Sequence, residues 1–257
     1  MIHPLANNID KRRKRWYQIC REAEEDIDKI VTHSSLDDTR QRMENYIQDL
    51  MKLFTEVLKD AINETIEETL KHYNEEAPFS LPADFRKRVK NYEESVLEET
   101  YYGKTTLDRI IDLQNKTIKN IHREIDTIPE YDIDKEILSK RIYEKVYSEM
   151  PVPGGRLFNS GDSILTGEQT RFYHNTTLKI CDLSGVQHIK IVKVEQSSSA
   201  CKELADRTPD FLLTEKCQKE GISEKGVYRL ENAPNMPHPR AMYYIKLLFS
   251  LGYSPLL

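Results

Sequence analysis

Glycine is nearly missing from the first 150 residues: Gly103 stands alone there, and the other eight glycines fall in the last 107. A glycine inside a helix costs about 1 kcal/mol, so a stretch without it suits a helical array. Cysteine is also scarce, with Cys20, Cys181, Cys201 and Cys217 at irregular spacing. That excludes a disulfide scaffold and favours a reducing compartment. No apolar run nears the roughly 18 residues that cross a bilayer, so no integral membrane protein is expected. Met1-Ile2-His3-Pro4-Leu5-Ala6 lacks a charged segment followed by an apolar core, so no secretory signal is expected either.

What is abundant is charge. Charged residues make up 32% of the 257, against about 25% in an average soluble domain. The excess suits long, solvent-washed helices better than one compact sphere. It is also uneven. Residues 1–150 hold 25 Lys and Arg against 32 Asp and Glu, while residues 151–257 hold 13 against 11. Four prolines precede position 150 and seven follow it. Composition therefore predicts an elongated helical domain over 1–150, a linker over 151–161 that starts at Pro151-Val152-Pro153-Gly154-Gly155, and a small α+β domain over 162–257. The fold class expected is α+β, mostly α, with a short antiparallel sheet.

Within the helical part, Met43, Tyr46, Ile47, Leu50, Met51, Phe54, Val57, Leu58, Ala61, Ile62, Ile66, Leu70 and Tyr73 recur at steps of three and four. They predict one continuous helix from about Leu36 to Tyr73, with Ser35 as its N-cap. A first helix is predicted over Asp10–Val31, burying Trp16, Ile19, Ala23, Ile27 and Ile30. Shorter stripes follow: Phe85 to Leu97, then Leu107, Ile110, Ile111, Gln114, Ile118, Ile121 and Ile125, then Ile133, Ile137, Val146 and Tyr147. No fixed-period repeat is present, which argues against a solenoid.

The densest basic run is Lys11-Arg12-Arg13-Lys14-Arg15, followed directly by Trp16-Tyr17. Two readings stand. The run is a nucleic-acid arm, with cations for phosphates and aromatics to stack, or a solvated helix face balanced by Glu22, Glu24, Glu25, Asp26 and Asp28.

No enzyme is expected. The phosphate-binding loop, the nucleophile elbow and the His-Glu-x-x-His signature are all lacking. Glu67-Glu68, Glu93-Glu94 and Glu98-Glu99 are adjacent on helices, where neighbours point about 100° apart, so none forms an acid–base dyad.

The last part reads as a helix over Asp162–Leu183 closed by Gly185, then a strand through Ile191-Val192-Lys193-Val194. A serine run, Ser197-Ser198-Ser199, leads into Cys201, and a strand at Gly226-Val227-Tyr228 follows. After Pro237-His238-Pro239, residues 241–249 make a closing strand or buried helix turn. In this order, over roughly residues 160–249, the chain resembles the phage minor head protein family (head-morphogenesis, or phage Mu protein F-like, proteins). The matched positions are Glu168, Gly185, Cys201, Gly226, His238 and Pro239.

The resemblance implies a virion structural protein without enzymatic activity, acting in head assembly at the portal or inner capsid and aiding DNA packaging or ejection. Its partners would be portal or major capsid protein, double-stranded DNA through Lys11–Arg15, and further copies in an oligomer. Its place would be the virion, and the host cytoplasm during assembly. The alternative is a nucleic-acid-binding or assembly scaffold unrelated to phage heads. The chain departs from the family pattern where Leu204, Ala241 and Tyr243 replace cysteines of its metal cluster. No metal or other cofactor is therefore expected; a zinc ion would have to draw on Cys181, Cys201, Cys217 and His238.

Overall fold

The computed structural model describes residues 6–32, 35–76, 84, 87–88, 100, 103–129, 135–149, 151, 155–195, 197–208, 225–234 and 243–248. Among these residues there are six α-helices and a three-stranded antiparallel sheet. In chain order they are α1 (Ala6–Thr32), α2 (Leu36–Glu76), α3 (Thr106–Asp126), α4 (Lys135–Val146), α5 (Arg156–Leu183), β1 (His188–Lys193), α6 (Ser199–Asp206), β2 (Val227–Arg229) and β3 (Tyr243–Leu247). One-turn 3-10 helices follow α4 and β2. The mostly helical α+β class is as expected.

Helix α2 runs unbroken for 41 residues, about 60 Å at 1.5 Å per residue. The Asp38 N–H donates to Ser35 Oγ at 3.3 Å, and Asp37 and Asp38 place negative charge at the positive end of the helix dipole. Its stripe is buried throughout, from Met43 through Phe54 and Leu58 to Leu70 and Tyr73; only Tyr46 is half-buried.

The other helices form where expected but turn by a residue or two. In α1 the buried positions are Ile9, Arg12, Trp16, Cys20, Ala23, Ile27 and Val31, so Cys20 and Val31 take the places predicted for Ile19 and Ile30. Helix α3 starts with a reciprocal cap: the Asp108 N–H donates to Thr105 Oγ1 at 3.0 Å, and the Thr105 N–H donates to Asp108 Oδ2 at 2.9 Å. It buries Thr106, Ile110, Leu113, Thr117, Ile121 and Ile125, while Leu107 and Ile111 face solvent. Thr117 lies on the same face, one turn from Leu113 and from Ile121, and its Oγ1 accepts from Arg156 Nη2 at 3.2 Å. In α4, Ile142 is buried and Ile137 is exposed. The predicted Phe85–Leu97 helix and Ile133 lie outside the described residues.

Helix α5 corrects the expected linker. It begins at Arg156, inside 151–161, and carries Gly161 and Gly167 within it. The reason at Gly161 is close packing. A Cβ there would lie 2.7–2.9 Å from three atoms of the Trp16 indole, so only glycine lets the ring settle on the helix backbone. At its other end α5 stops as predicted. Gly185 takes φ +65°, its N–H donates to Asp182 O, and the Val186 N–H donates to Cys181 O, a Schellman closure.

The sheet order is β2-β1-β3, both pairings antiparallel, with Ile189 opposite Tyr228 and Ile191 opposite Ile245. The closing segment is thus a strand, not a helix turn. Two compact units emerge. One comprises Met1–Ile9, Ile62–Val96 and Thr166–Leu257 and contains the sheet; the other comprises Asp10–Ala61 and Leu97–Leu165 and is helical. The division read from composition at 151–161 falls inside the second unit, because helices α2 and α5 each supply residues to both.

Replacing Gly161 by Ala tests the packing. Ala is the better helix former by about 1 kcal/mol. Overpacking against Trp16 is nevertheless expected to give a net loss of about 1–2 kcal/mol, read from urea unfolding. A stabilised Gly161→Ala protein would show that the indole does not rest there.

Candidate functional site

The basic run occupies the early turns of α1, in the helical unit. Lys11 and Lys14 are exposed. Arg12 is buried, at 4% exposure. Arg13 donates through Nε and Nη2 to the two carboxylate oxygens of Asp162 at 2.7 and 3.1 Å, and Arg15 Nη1 reaches Asp60 at 3.3 Å. The hydrogen bond to Asp162 raises the Arg13 pKa above its ordinary value. A planar, two-pronged pairing of this kind fixes orientation as well as charge.

Trp16, expected on the buried face of the first helix and, in the nucleic-acid reading, available for stacking, is a core residue. It is fully buried, its Nε1–H donates to Phe158 O at 3.1 Å, and its ring meets Phe54 edge-on at 4.8 Å. Tyr17 remains 42% exposed, with its ring edge-on to Phe158. The carboxylates that meet Arg13 and Arg15 include Asp162 and Asp60, distant in sequence, with Asp10 at 3.9 Å from Arg13, rather than Glu22 to Asp28. No local signal identified the two distant ones.

The acidic end of α1 lines a groove instead. Gln18, Arg21, Glu22, Glu24, Glu25 and Asp28, with Tyr143 of α4, bound a space of about 550 Å³. The Tyr143 hydroxyl donates to Glu24 Oε1 at 3.3 Å, and burial, reinforced by Glu24, pushes its pKa up to about 12. Four carboxylates in one groove repel phosphate. A nucleic acid on α1 would thus be confined to the Lys11 and Lys14 end.

The positions carrying the family resemblance lie in the sheet-containing unit. Glu168 is buried and accepts from Arg171 Nε and Nη2 at 2.9 and 2.8 Å. Gly185 closes α5, as described above. Ser198 caps α6, its Oγ accepting from the Cys201 N–H at 3.2 Å, and Cys201 is fully buried beneath that cap. Gly226 is the most constrained of them. Its φ is +74°, and a Cβ would lie 2.6 Å from both Ala205 O and Ile191 O. Its N–H donates to Arg207 O and its carbonyl accepts from the Ile191 N–H, each at 2.8 Å. It therefore joins β1, β2 and the end of α6 at one point. His238 and Pro239 lie outside the described residues.

Cys181 is buried, and desolvation raises its pKa above the ordinary thiol range. Cys217 lies outside the described residues, so half of the hypothetical zinc set, Cys181 and Cys201, is described. Among the described residues no group of three or more His, Cys, Asp or Glu side chains could hold a metal ion. No described helix is long and apolar enough to cross a membrane.

One pair was invisible in the sequence. His174 on α5 is buried, and its Nδ1 shares a 2.8 Å hydrogen bond with the Tyr243 hydroxyl of β3. The two rings meet edge-on at 5.5 Å. Desolvation lowers the His174 pKa to about 4, so the ring is neutral at pH 7. Comparison with protein-family models, curated proteins and solved structures finds no match to the chain.

Two substitutions test this unit. Gly226→Ala must relax two carbonyl contacts and a left-handed backbone, and should cost about 3 kcal/mol or more in urea unfolding. The His174 prediction concerns pH. Its folded pKa lies below the ordinary 6.5, so the unfolded chain binds more protons between those values. The stabilising contribution is complete above pH 6.5 and is lost as pH falls toward 4, by about 2 kcal/mol between pH 7 and pH 5. His174→Phe should flatten that part of the stability profile. An unchanged profile would place the titration elsewhere.

Proposed function

We propose that this chain is a non-enzymatic virion structural protein of the head-morphogenesis kind, acting in head assembly at the portal or inner capsid surface. One observation carries the reading: of the described motif positions that suggested the family, Gly185, Cys201 and Gly226 each fall where the chain turns or closes, while Glu168 lies within α5. Gly185 ends α5, Cys201 lies under the cap of α6, and Gly226 ties β2 to β1. The long helices supply the surface for protein contacts, and the virion, with the host cytoplasm during assembly, is the corresponding location.

Contact with double-stranded DNA has narrower support. With Arg12 buried and Arg13 and Arg15 engaged by carboxylates, Lys11 and Lys14 are the cations of the run best disposed to meet phosphate. Binding through them would be weak, indifferent to sequence and sensitive to salt, because each phosphate contact releases condensed counterions.

Two measurements test the proposal. Portal protein should co-purify with this chain from infected cells; its absence would favour an assembly scaffold unrelated to phage heads. Lys11→Ala with Lys14→Ala should reduce DNA retention and lower the salt slope by about 2, with the helical circular dichroism unchanged. Undiminished retention would leave protein–protein assembly as the whole function.

A further inference from the structure

The two faces of the sheet differ in character. Residues directly opposite one another in an antiparallel pair share a face. On one face Ile189 and Ile191 of β1 lie level with Leu247 and Ile245 of β3, all four buried. On the other, His188 of β1 stands opposite Arg229 of β2, and Lys190 of β1 stands opposite Lys246 of β3. These two rows are about 7 Å apart along the strands. Lys246 and Arg229 are exposed, while Lys190 and His188 are half-buried. The register places Val192, Val227 and Tyr244 on the same face, so among the described strand residues it carries no acid.

Like charges set directly opposite weaken a strand pair, and nothing in the ladder requires Lys190 to face Lys246. Glu231 approaches Arg229 at 3.7 Å, an exposed pair of little strength. Both half-buried groups sense the surplus of positive charge. The Lys190 pKa lies below its ordinary value through burial and then through Lys246; that of His188 does so through burial and then through Arg229. A dominant carboxylate neighbour would have moved both the other way.

We infer that this face of the sheet binds the phosphate backbone of a nucleic acid. A phosphate chain asks only for cations held close together, with no pocket between them. A protein partner would need, besides charge, an apolar anchor at the centre of the contact. The face offers none: Val227 is buried, and Val192 already packs against Ile9, Tyr173 and Val194. Arg229 can meet phosphate oxygens with two donors at once, and Lys190 and Lys246 act as point charges beside it. Contacts to phosphate carry no sequence information, so binding is indifferent to base sequence. It draws on none of the α1 cations and holds or fails whether or not the chain belongs to a virion.

Fluorescence anisotropy of a labelled mixed-sequence DNA duplex, titrated with the full chain at about 50 to 200 mM salt, tests it. The chain carries Lys11→Ala and Lys14→Ala throughout, so that those two α1 cations do not contribute, and circular dichroism confirms that each variant folds. This chain should still bind. Adding Lys246→Gln and Arg229→Gln should raise the Kd at least about fivefold and lower the salt slope by about 2. Lys71→Gln with Lys202→Gln removes the same charge from exposed positions of α2 and α6, and should leave both nearly unchanged. In NMR spectra the duplex should shift the amides of His188–Lys193 and Tyr243–Leu247. Loss of all binding with Lys11→Ala and Lys14→Ala overturns the inference and leaves α1 as the whole contact. So does a control pair as damaging as the test pair, or amide shifts confined to other elements. A polyglutamate peptide that displaces the duplex at equal charge would also overturn it, assigning the face to an acidic protein segment.

Discussion

The helical unit is organised around the bare backbone at Gly161. Without a Cβ there, the Trp16 indole rests directly on α5, donates to Phe158 O and presents its edge to Phe54 of α2. Three helices are located by one ring. Truncating a buried tryptophan of this kind typically costs about 3–5 kcal/mol. The Arg13–Asp162 pair stands beside this contact, Arg13 one turn before Trp16 and Asp162 next to Gly161, and fixes the rotation of α1 relative to α5. The basic run is thus, in part, the framing of an aromatic contact.

The sheet-containing unit relies on different devices. Its strands are short, of three to six residues, and β1 is central, so among the described residues each edge strand has a single hydrogen-bonded neighbour. Such a sheet needs support from outside its own ladder. That support comes from α6, whose last turns meet Gly226 and accept the Tyr228 hydroxyl at Leu204 O, and from α5, where His174 meets Tyr243. A buried, neutral histidine beside a tyrosine satisfies one polar group with another far along the chain, which favours a single packing over slipped alternatives.

Regular spacing was legible in the sequence, and long-range pairing was not. Helix α2 could be read whole because its apolar steps persist over about eight turns, from Met43 to Tyr73, and a serine stands at its start. Helix α3 was placed correctly but its face was misassigned in part: hydrophobicity marked Leu107 and Ile111 as core and passed over Thr117, which shares the buried face with Leu113 and Ile121 and accepts from Arg156. The linker was misplaced for a related reason. Glycine was taken as a sign of turns, and at Gly185 and Gly226 it is one; at Gly161 its purpose lies in a tryptophan 145 positions away. Of the candidate site, the basic run was visible, while its partners Asp60 and Asp162 depended on the tertiary fold. Without knowing which arginines are engaged, a row of cations looks uniformly available.

The continuity of α2 constrains how this chain can vary over generations. Its stripe supplies Met43 through Leu58 to one compact unit and Ile62 through Tyr73 to the other, on a single helical phase. Inserting or deleting one residue between them would turn every later side chain by about 100° about the helix axis relative to the earlier ones. Only changes close to whole multiples of the helical repeat, such as seven residues, would spare the phase. Between Leu36 and Glu76 related sequences should therefore diverge by substitution and hardly at all in length. Size variation is left to the joins between helices, where no rotation is passed on.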